Sequence, residues 1–267
     1  MHLVFSPTLC PDLLLPEVLD LAKASGFSRI ELFRAYTEST PVHRDWSVPM
    51  VRTAIADAGL QLAGFNIRNL TGRKADSDER NLAYNLRQLE WDIHLGRALG
   101  IKTLNTKGGA RTDEALADLI EGVNTLLDNI PDIALNLGNH KGNRLQGLAD
   151  YQAVMPELPE RARVLLDTGH LLSVGEPIMP FAEALAGRIG LIHLRDQQGE
   201  KPVPFGEGEL PFAELFELLV DSGYDGPLVV ELEEVDWDEP LPAAIAARQY
   251  VEAQRPQCGP HAEAGPH

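Results

Sequence analysis

Short apolar runs recur along this chain, each closed by a polar residue and followed by a longer stretch whose apolar positions fall three or four apart. The short runs read as buried parallel strands and the longer stretches as helices that cover them. Strands are expected at His2–Ser6, Arg29–Phe33, Gln61–Asn66, Lys102–Thr106, Ile133–Gly138, Arg163–Asp167, Gly190–Leu194 and Leu228–Glu231. Helices are expected at Pro16–Ser25, Val48–Ala58, Glu79–Leu99, Thr112–Asp128, Leu148–Val154, Met179–Ala186, Pro211–Ser222 and Leu241–Gln254. Gly26, Gly59, Gly100 and Gly223 stand where four of these helices should stop, as glycines do at left-handed C-caps. Eight strand–helix repeats predict an α/β protein folded as a single (β/α)8 TIM barrel. A doubly wound open sheet usually has fewer strands and a glycine-rich first turn, and no GxGxxG follows the first strand here.

Composition agrees with one large domain. The chain has 267 residues, and a β/α barrel takes ~250. The barrel is expected over residues 1–254, and the polar, Pro- and Gly-rich segment 255–267 (RPQCGPHAEAGPH) reads as a disordered tail. Its His261 and His267 belong to that loose terminus rather than to a site. Hydrophobic residues make up 44% of the chain and charged residues 24%, enough to bury a core without disulfides. A net charge of −17 opposes phosphate backbones and anionic membrane surfaces, so no nucleic-acid or membrane partner is expected. Two widely separated cysteines, Cys10 and Cys258, together with the lack of an export signal or a bilayer-spanning apolar run, place the expected location in the cytoplasm. Assembly into a homo-oligomer is left open.

In a β/α barrel the reactive groups sit where the strands end at the C-terminal face. The sixth strand ends VLLDTGH, the seventh reads LIHLRD and the eighth reads PLVVELEE, which brings Asp167, His193 and Glu231 to the mouth. Taken singly, each is an ordinary capping carboxylate or core histidine. Together they form a mixed imidazole and carboxylate set suited to Mn²⁺, Co²⁺, Zn²⁺ or Mg²⁺. Lys107 closes the fourth strand and offers a charge that can neutralise an enolate, a carboxylate or a phosphate, or is a solvated lysine. Arg195 shares a face with His193 and is expected to point at substrate. Glu31, on the second strand, either touches substrate or bridges inside the barrel. Glu207, between Gly206 and Gly208, is a further substrate-binding candidate, whereas Glu233 and Glu234 read as solvated.

The order DTGH, IHLRD, VPFGEGEL and GPLVVELE, with RIELF and HLGRALGIKTLNT upstream, resembles the xylose isomerase-like barrels, which include inosose-processing enzymes, hydroxypyruvate isomerase and ketose 3-epimerases. The resemblance spans Met1 to about Val251, with the diagnostic motifs in the last four strands. It implies that Asp167, His193 and Glu231 are ligands of a divalent metal, that Glu231 doubles as a base, and that His170 contacts substrate. The family adds a fourth ligand and second base, a Glu two residues before a His at the end of the fifth strand. Here that segment reads NLGNHKGN, so Gly138, or in another alignment Asn136, occupies the position, and the Asn136 amide oxygen is expected to approach the metal from deeper in the barrel. With Glu231 as the one remaining carboxylate base, proton transfer on a single face favours 1,2-isomerisation or elimination over inversion, unless His140 or Lys107 serves the opposite face.

The resemblance therefore implies a metal-dependent isomerase or epimerase of a small carbohydrate-like substrate. A lyase or dehydratase sharing the same enolate chemistry, and a degenerate sugar-binding barrel, are the alternatives. The abasic-site endonuclease branch of these barrels needs further histidines, and RIELFR, GFNIRN and EKPVPFGEG carry none.

Overall fold

The computed structural model describes residues 1–71, 82–233, 237 and 239–255. Eight parallel strands close into a barrel: His2–Phe5, Arg29–Phe33, Gln61–Asn66, Thr103–Lys107, Ala134–Gly138, Ala162–Asp167, Ile189–Leu194 and Pro227–Val230, the last pairing back onto the first. Each expected strand is present within a residue or so of its expected ends. Glu231 lies just past its strand but keeps the ladder, its N–H donating to the Leu194 carbonyl at 3.0 Å.

Two cores hold the barrel. Val4, Leu165, Leu191 and Val229, with Ala63 against them, point inward and plug its middle. Outward-facing strand residues such as Leu104 and Leu135 pack on the covering helices, which include Leu82–Leu99, Asp113–Asn129 and Phe212–Asp221. Contact there is close: a Cβ at Gly96 would lie 2.6 Å from Leu104 Cδ2. Gly26, Gly59, Gly100 and Gly223 all take positive φ, and Gly100, at 98°, turns the long third helix into the fourth strand, a backbone state that L side chains resist.

The structure adds elements that the hydrophobic pattern did not show. A one-turn helix, Thr168–Leu172, follows the sixth strand directly, its first turn capped by Asp167 Oδ1, which accepts from the His170 N–H at 3.0 Å. A small ribbon pairs Gln197–Gln198 with Lys201–Pro202. The segment expected as the start of the third helix, 79–81, lies outside the described residues, as do Glu234, Cys258, His261 and His267. Among the described residues, no helix is long and apolar enough to cross a membrane.

Below the plug, the barrel tolerates a polar side chain because a glycine faces it. Asn136 is fully buried, and a Cβ at Gly190 would stand 2.1 Å from its Oδ1. Gly190→Ala should therefore lower stability by ~1–3 kcal/mol, the usual cost of overpacking. Urea denaturation should show the loss, and Gly190→Ala should cost less in an Asn136→Ala background than in the wild type, with the remainder set by Arg163, which the new Cβ also meets. An unaffected midpoint in the single variant would contradict this packing.

Candidate metal and substrate site

His193 is the centre of the site. The pleat turns it inward between strands six and eight, where it pairs in register with Asp167 and Val229. Its two ring nitrogens face different partners. Nε2 lies 3.2 Å from Glu31 Oε2, and because a carboxylate only accepts, the nitrogen carries the proton. Nδ1 faces the other way, 3.4 Å from Glu231 Oε2 and 3.8 Å from Asp167 Oδ2.

Glu31 is already engaged on both oxygens. Oε1 accepts from Ser6 Oγ at 2.7 Å, and Oε2 accepts from Asn66 Nδ2 at 2.8 Å as well as from His193. Glu231 is the opposite case: it is buried, and its Oε2 has no hydrogen-bond partner among the described residues. A buried carboxylate oxygen that accepts no hydrogen bond, beside an imidazole nitrogen, fits a ligand of a cation. Ligand atoms of Glu31, His193 and Glu231 all lie within 4.8 Å of one another. Since Glu31 and Glu231 take opposite ring nitrogens, one ion cannot use that imidazole together with both carboxylates in the same way. The Nδ1 side, with Asp167 and Glu231, has the free donors, and Glu31 is placed to orient the ring, as outer carboxylates do for metal-bound histidines.

The electrostatics agree with a cation site. Glu31, Asp167, Glu231 and Glu233 crowd around two cations, His193 and Arg195. Burial pushes His193 down, but the charges of Glu231 and Glu31 outweigh it and hold the ring well above its ordinary pKa. Burial pushes Asp167 up, and Arg195 and its neighbours reverse that, keeping the carboxyl far below the usual range. Glu233 is raised by burial and by the charge of Glu231.

Several expected roles change once the side chains are in place. Arg195 is not turned to substrate: it is 2% exposed and consumed by carboxylates, with Nη2 on Asp167 Oδ1 at 3.0 Å, Nη1 on Glu233 Oε2 at 3.0 Å and Nε 3.6 Å from Glu231 Oε2. Glu233, expected in solvent, is thus part of the cluster, and it also accepts from Tyr36 Oη at 2.8 Å. Glu31 has no exposed surface and bridges inside the barrel rather than touching substrate. Glu207 is exposed and does not line the cavity, because its loop folds around Asp196, whose Oδ2 accepts from the Gly206 and Gly208 N–H groups at 2.8 and 3.1 Å.

Asn136 is also not brought to the Nδ1 side. It lies in register with Asn105, donating Nδ2 to Asn105 Oδ1 at 2.8 Å, and it lines a separate cavity at the N-terminal end of the barrel. Gly138, two residues on, stands beside Lys107, whose Cγ would lie 3.4 Å from a Cβ at that position.

A cavity of about 630 Å³ opens over this cluster, with Asn66, Asn105, Lys107, His140, His193 and Glu231 on its wall. His140 packs against His170, ring centroids 3.8 Å apart and planes tilted by 50°, so that His170 lies against the imidazole that faces the cavity. Burial and the charge of Lys107 lower His140, and burial pushes His170 down to about 3, so both rings are neutral at pH 7. His140 Nδ1 donates to the Lys141 carbonyl at 2.8 Å, which leaves Nε2 as a free acceptor. Sequence reading missed Arg34, Arg68 and Tyr36 on the same wall. Their signal was positional, since each stands one to three residues beyond a strand end.

Comparison with known proteins places this geometry in context. The family described as Xylose isomerase-like TIM barrel matches residues 19–254. The chain is 27% identical to a provisionally named L-ribulose-5-phosphate 3-epimerase, SgbU, of Escherichia coli strain K12, over 96% of each chain. It is 31% identical to the inosose dehydratase of Geobacillus thermodenitrificans strain NG80-2, over 55% of this chain and 56% of that one. The fold superimposes on a crystal structure of IolI protein with a bound zinc atom at a TM-score of 0.76, with 17% identity over 95% of this chain and 96% of that one. With a family match running from the first helix to the last and strand ends that carry the expected Asp, His and Glu, this chain belongs to the xylose isomerase-like TIM barrel family.

Proposed function

We propose that this chain is a divalent-metal-dependent isomerase or epimerase of a small sugar, keto-sugar or polyol-derived hydroxyketone. The observation that carries the reading is that Asp167 Oδ2 and Glu231 Oε2, the latter accepting no hydrogen bond among the described residues, both approach His193 Nδ1 beside one cavity. Those three would hold the ion, Mn²⁺, Co²⁺, Zn²⁺ or Mg²⁺, and a bound ion would polarise a substrate carbonyl and acidify the neighbouring C–H. The named activities of the relatives, sugar-phosphate epimerisation and inosose dehydration, share that proton abstraction.

The chain's own groups then handle the proton. Glu231 accepts it from the carbon beside the carbonyl, and returning it to the adjacent carbon interconverts aldose and ketose. His140 presents a neutral Nε2 from the end of the fifth strand, while Glu231 works from the end of the eighth, so the two approach a bound substrate from different sides of the mouth. A proton removed by one and replaced by the other inverts the carbon. Elimination is the second reading, favoured by Gly138: with no carboxylate there, a deprotonated substrate can expel a β-hydroxyl instead.

Calorimetry with Mn²⁺ should separate ligands from the orienting group. Asp167→Ala, His193→Ala and Glu231→Ala should abolish measurable binding, whereas Glu31→Gln should weaken it about 10- to 100-fold. Equal affinity in all four variants would end the proposed site. A Cβ at Gly138 meets only ordinary contacts, so Gly138→Glu should fold and bind Mn²⁺ more tightly than the wild type. A weaker or unchanged affinity both in Gly138→Glu and in Gly138→Glu/Lys107→Met, where no lysine competes for the new carboxylate, would show that this strand end does not face the ion.

In D₂O, the metal-loaded protein should place deuterium on the carbon beside the carbonyl of one member of a panel of ketoses, aldoses and inososes. Glu231→Gln should lose this exchange by at least about 100-fold, and His140→Ala should lose any inversion while keeping exchange. A panel without carbon-bound deuterium would contradict the reading.

A further inference from the structure

The mouth of the barrel is electrically polarised in a way that the metal cluster does not explain. Apart from Glu31, deeper in the barrel on the second strand, its carboxylates stand at the ends of strands six and eight. Across the cavity, the ends of strands two, three and four carry Arg34, Arg68 and Lys107, and all three line its wall. The two arginines share a single carboxylate, Asp92, which has no exposed surface. Arg68 commits Nε at 2.7 Å and Nη2 at 3.2 Å to it, and Arg34 commits only Nε, at 3.1 Å. Among the described residues, Arg34 Nη1 and Nη2, Arg68 Nη1 and Lys107 Nζ have no hydrogen-bond acceptor, and Lys107 forms no ion pair. On this side of the mouth three cations thus line the cavity with one carboxylate, Asp92, between two of them.

Asp92 gives the pair its rigidity. It anchors one edge of each guanidinium, with the two side chains 24% and 27% exposed, and Trp91 supports Arg34, whose Cζ lies 5.6 Å from the centre of the indole ring. Lys107 owes its freedom to Gly138. Its aliphatic chain runs 3.4 Å from where a Cβ would be, so a carboxylate side chain at 138 would meet the lysine and neutralise it. The missing acid on the fifth strand and the unpaired base on the fourth are one feature.

We propose that this face binds the terminal oxyanion, a phosphate monoester or a carboxylate, of a short-chain hydroxyketone whose carbonyl end lies on the Glu231 side. The inference rests on the isomerase reading of the cavity and names its substrate class. The hydroxyls of a neutral sugar accept hydrogen bonds but bring no charge to offset three cations that share one carboxylate, whereas an oxyanion does both.

The test compares L-ribulose, L-ribulose 5-phosphate and 5-keto-D-gluconate as substrates of the metal-loaded full chain, alongside calorimetry with inorganic phosphate. At least one anionic substrate should exceed the neutral ketose in kcat/KM by about 100-fold. Arg34→Gln and Arg68→Gln should each cut that ratio about 10- to 100-fold, mainly through KM. Preference for the phosphate or for the carboxylate identifies which oxyanion the face takes. Equal kcat/KM for neutral and anionic substrates, or a ratio unchanged in both variants, would overturn the inference while leaving the isomerase reading in place. If none is turned over, the isomerase reading is what fails, and calorimetry decides the anion site: saturable phosphate binding that Arg68→Gln weakens supports it, and no binding to the wild type overturns it. If circular dichroism shows the arginine variants unfolded, Lys107→Met, which leaves Asp92 paired, takes their place in the same comparisons.

Discussion

The hydrogen bond between His193 Nε2 and Glu31 decides what the other polar groups inside this barrel can do. Glu31 can only accept, so it holds a proton on Nε2 and turns Nδ1, the nitrogen that must give up its proton to bind a metal ion, toward Asp167 and Glu231. The same carboxylate sets the direction of an amide ladder that crosses three strands. Asn66 must give Nδ2 to Glu31, so its Oδ1 accepts from Asn105, whose Oδ1 in turn accepts from Asn136. The ladder ends at Asn136 Oδ1, which has no partner among the described residues and faces Gly190. A single buried carboxylate on the second strand therefore reaches both the Nδ1 side of His193 and the base of the barrel.

Burying three carboxylates around one imidazole would be prohibitive without compensation. Arg195 supplies much of it, tying Asp167 on the sixth strand to Glu233 just past the eighth and approaching Glu231 between them. Tyr36, from the loop after the second strand, closes the ring by donating to Glu233. The balance still favours negative charge at Nδ1, which is the condition for a divalent ion, while strands two to four hold the excess positive charge. A substrate lying between the two poles would have its reacting carbon and its far end addressed by different strands.

Much of this was legible in the sequence because it depends on period and order. The eight strands follow from apolar runs closed by polar residues, and Asp167, His193 and Glu231 from their places at strand ends. What could not be read depends on register and on partners far apart in the chain. Glu31 and His193 are 162 residues apart, so nothing local says that one orients the other. Arg195 looks like a substrate-facing cation until three carboxylates are brought to it. Asn66, Asn105 and Asn136 are visible as polar interruptions, but their matched register belongs to the closed sheet. Glu207 was misplaced because its flanking glycines serve a turn built around Asp196 rather than an approach to the cavity.

The central claim is that one face of His193 is reserved for a metal ion and the other for Glu31. An anomalous difference map from crystals of the full chain soaked in Mn²⁺ tests it directly. The account predicts one peak within coordination distance of His193 Nδ1, Asp167 Oδ2 and Glu231 Oε2, with the Nε2–Glu31 hydrogen bond intact. A peak on the Nε2 side ligated by Glu31, or no peak in the barrel at saturating Mn²⁺, would contradict it.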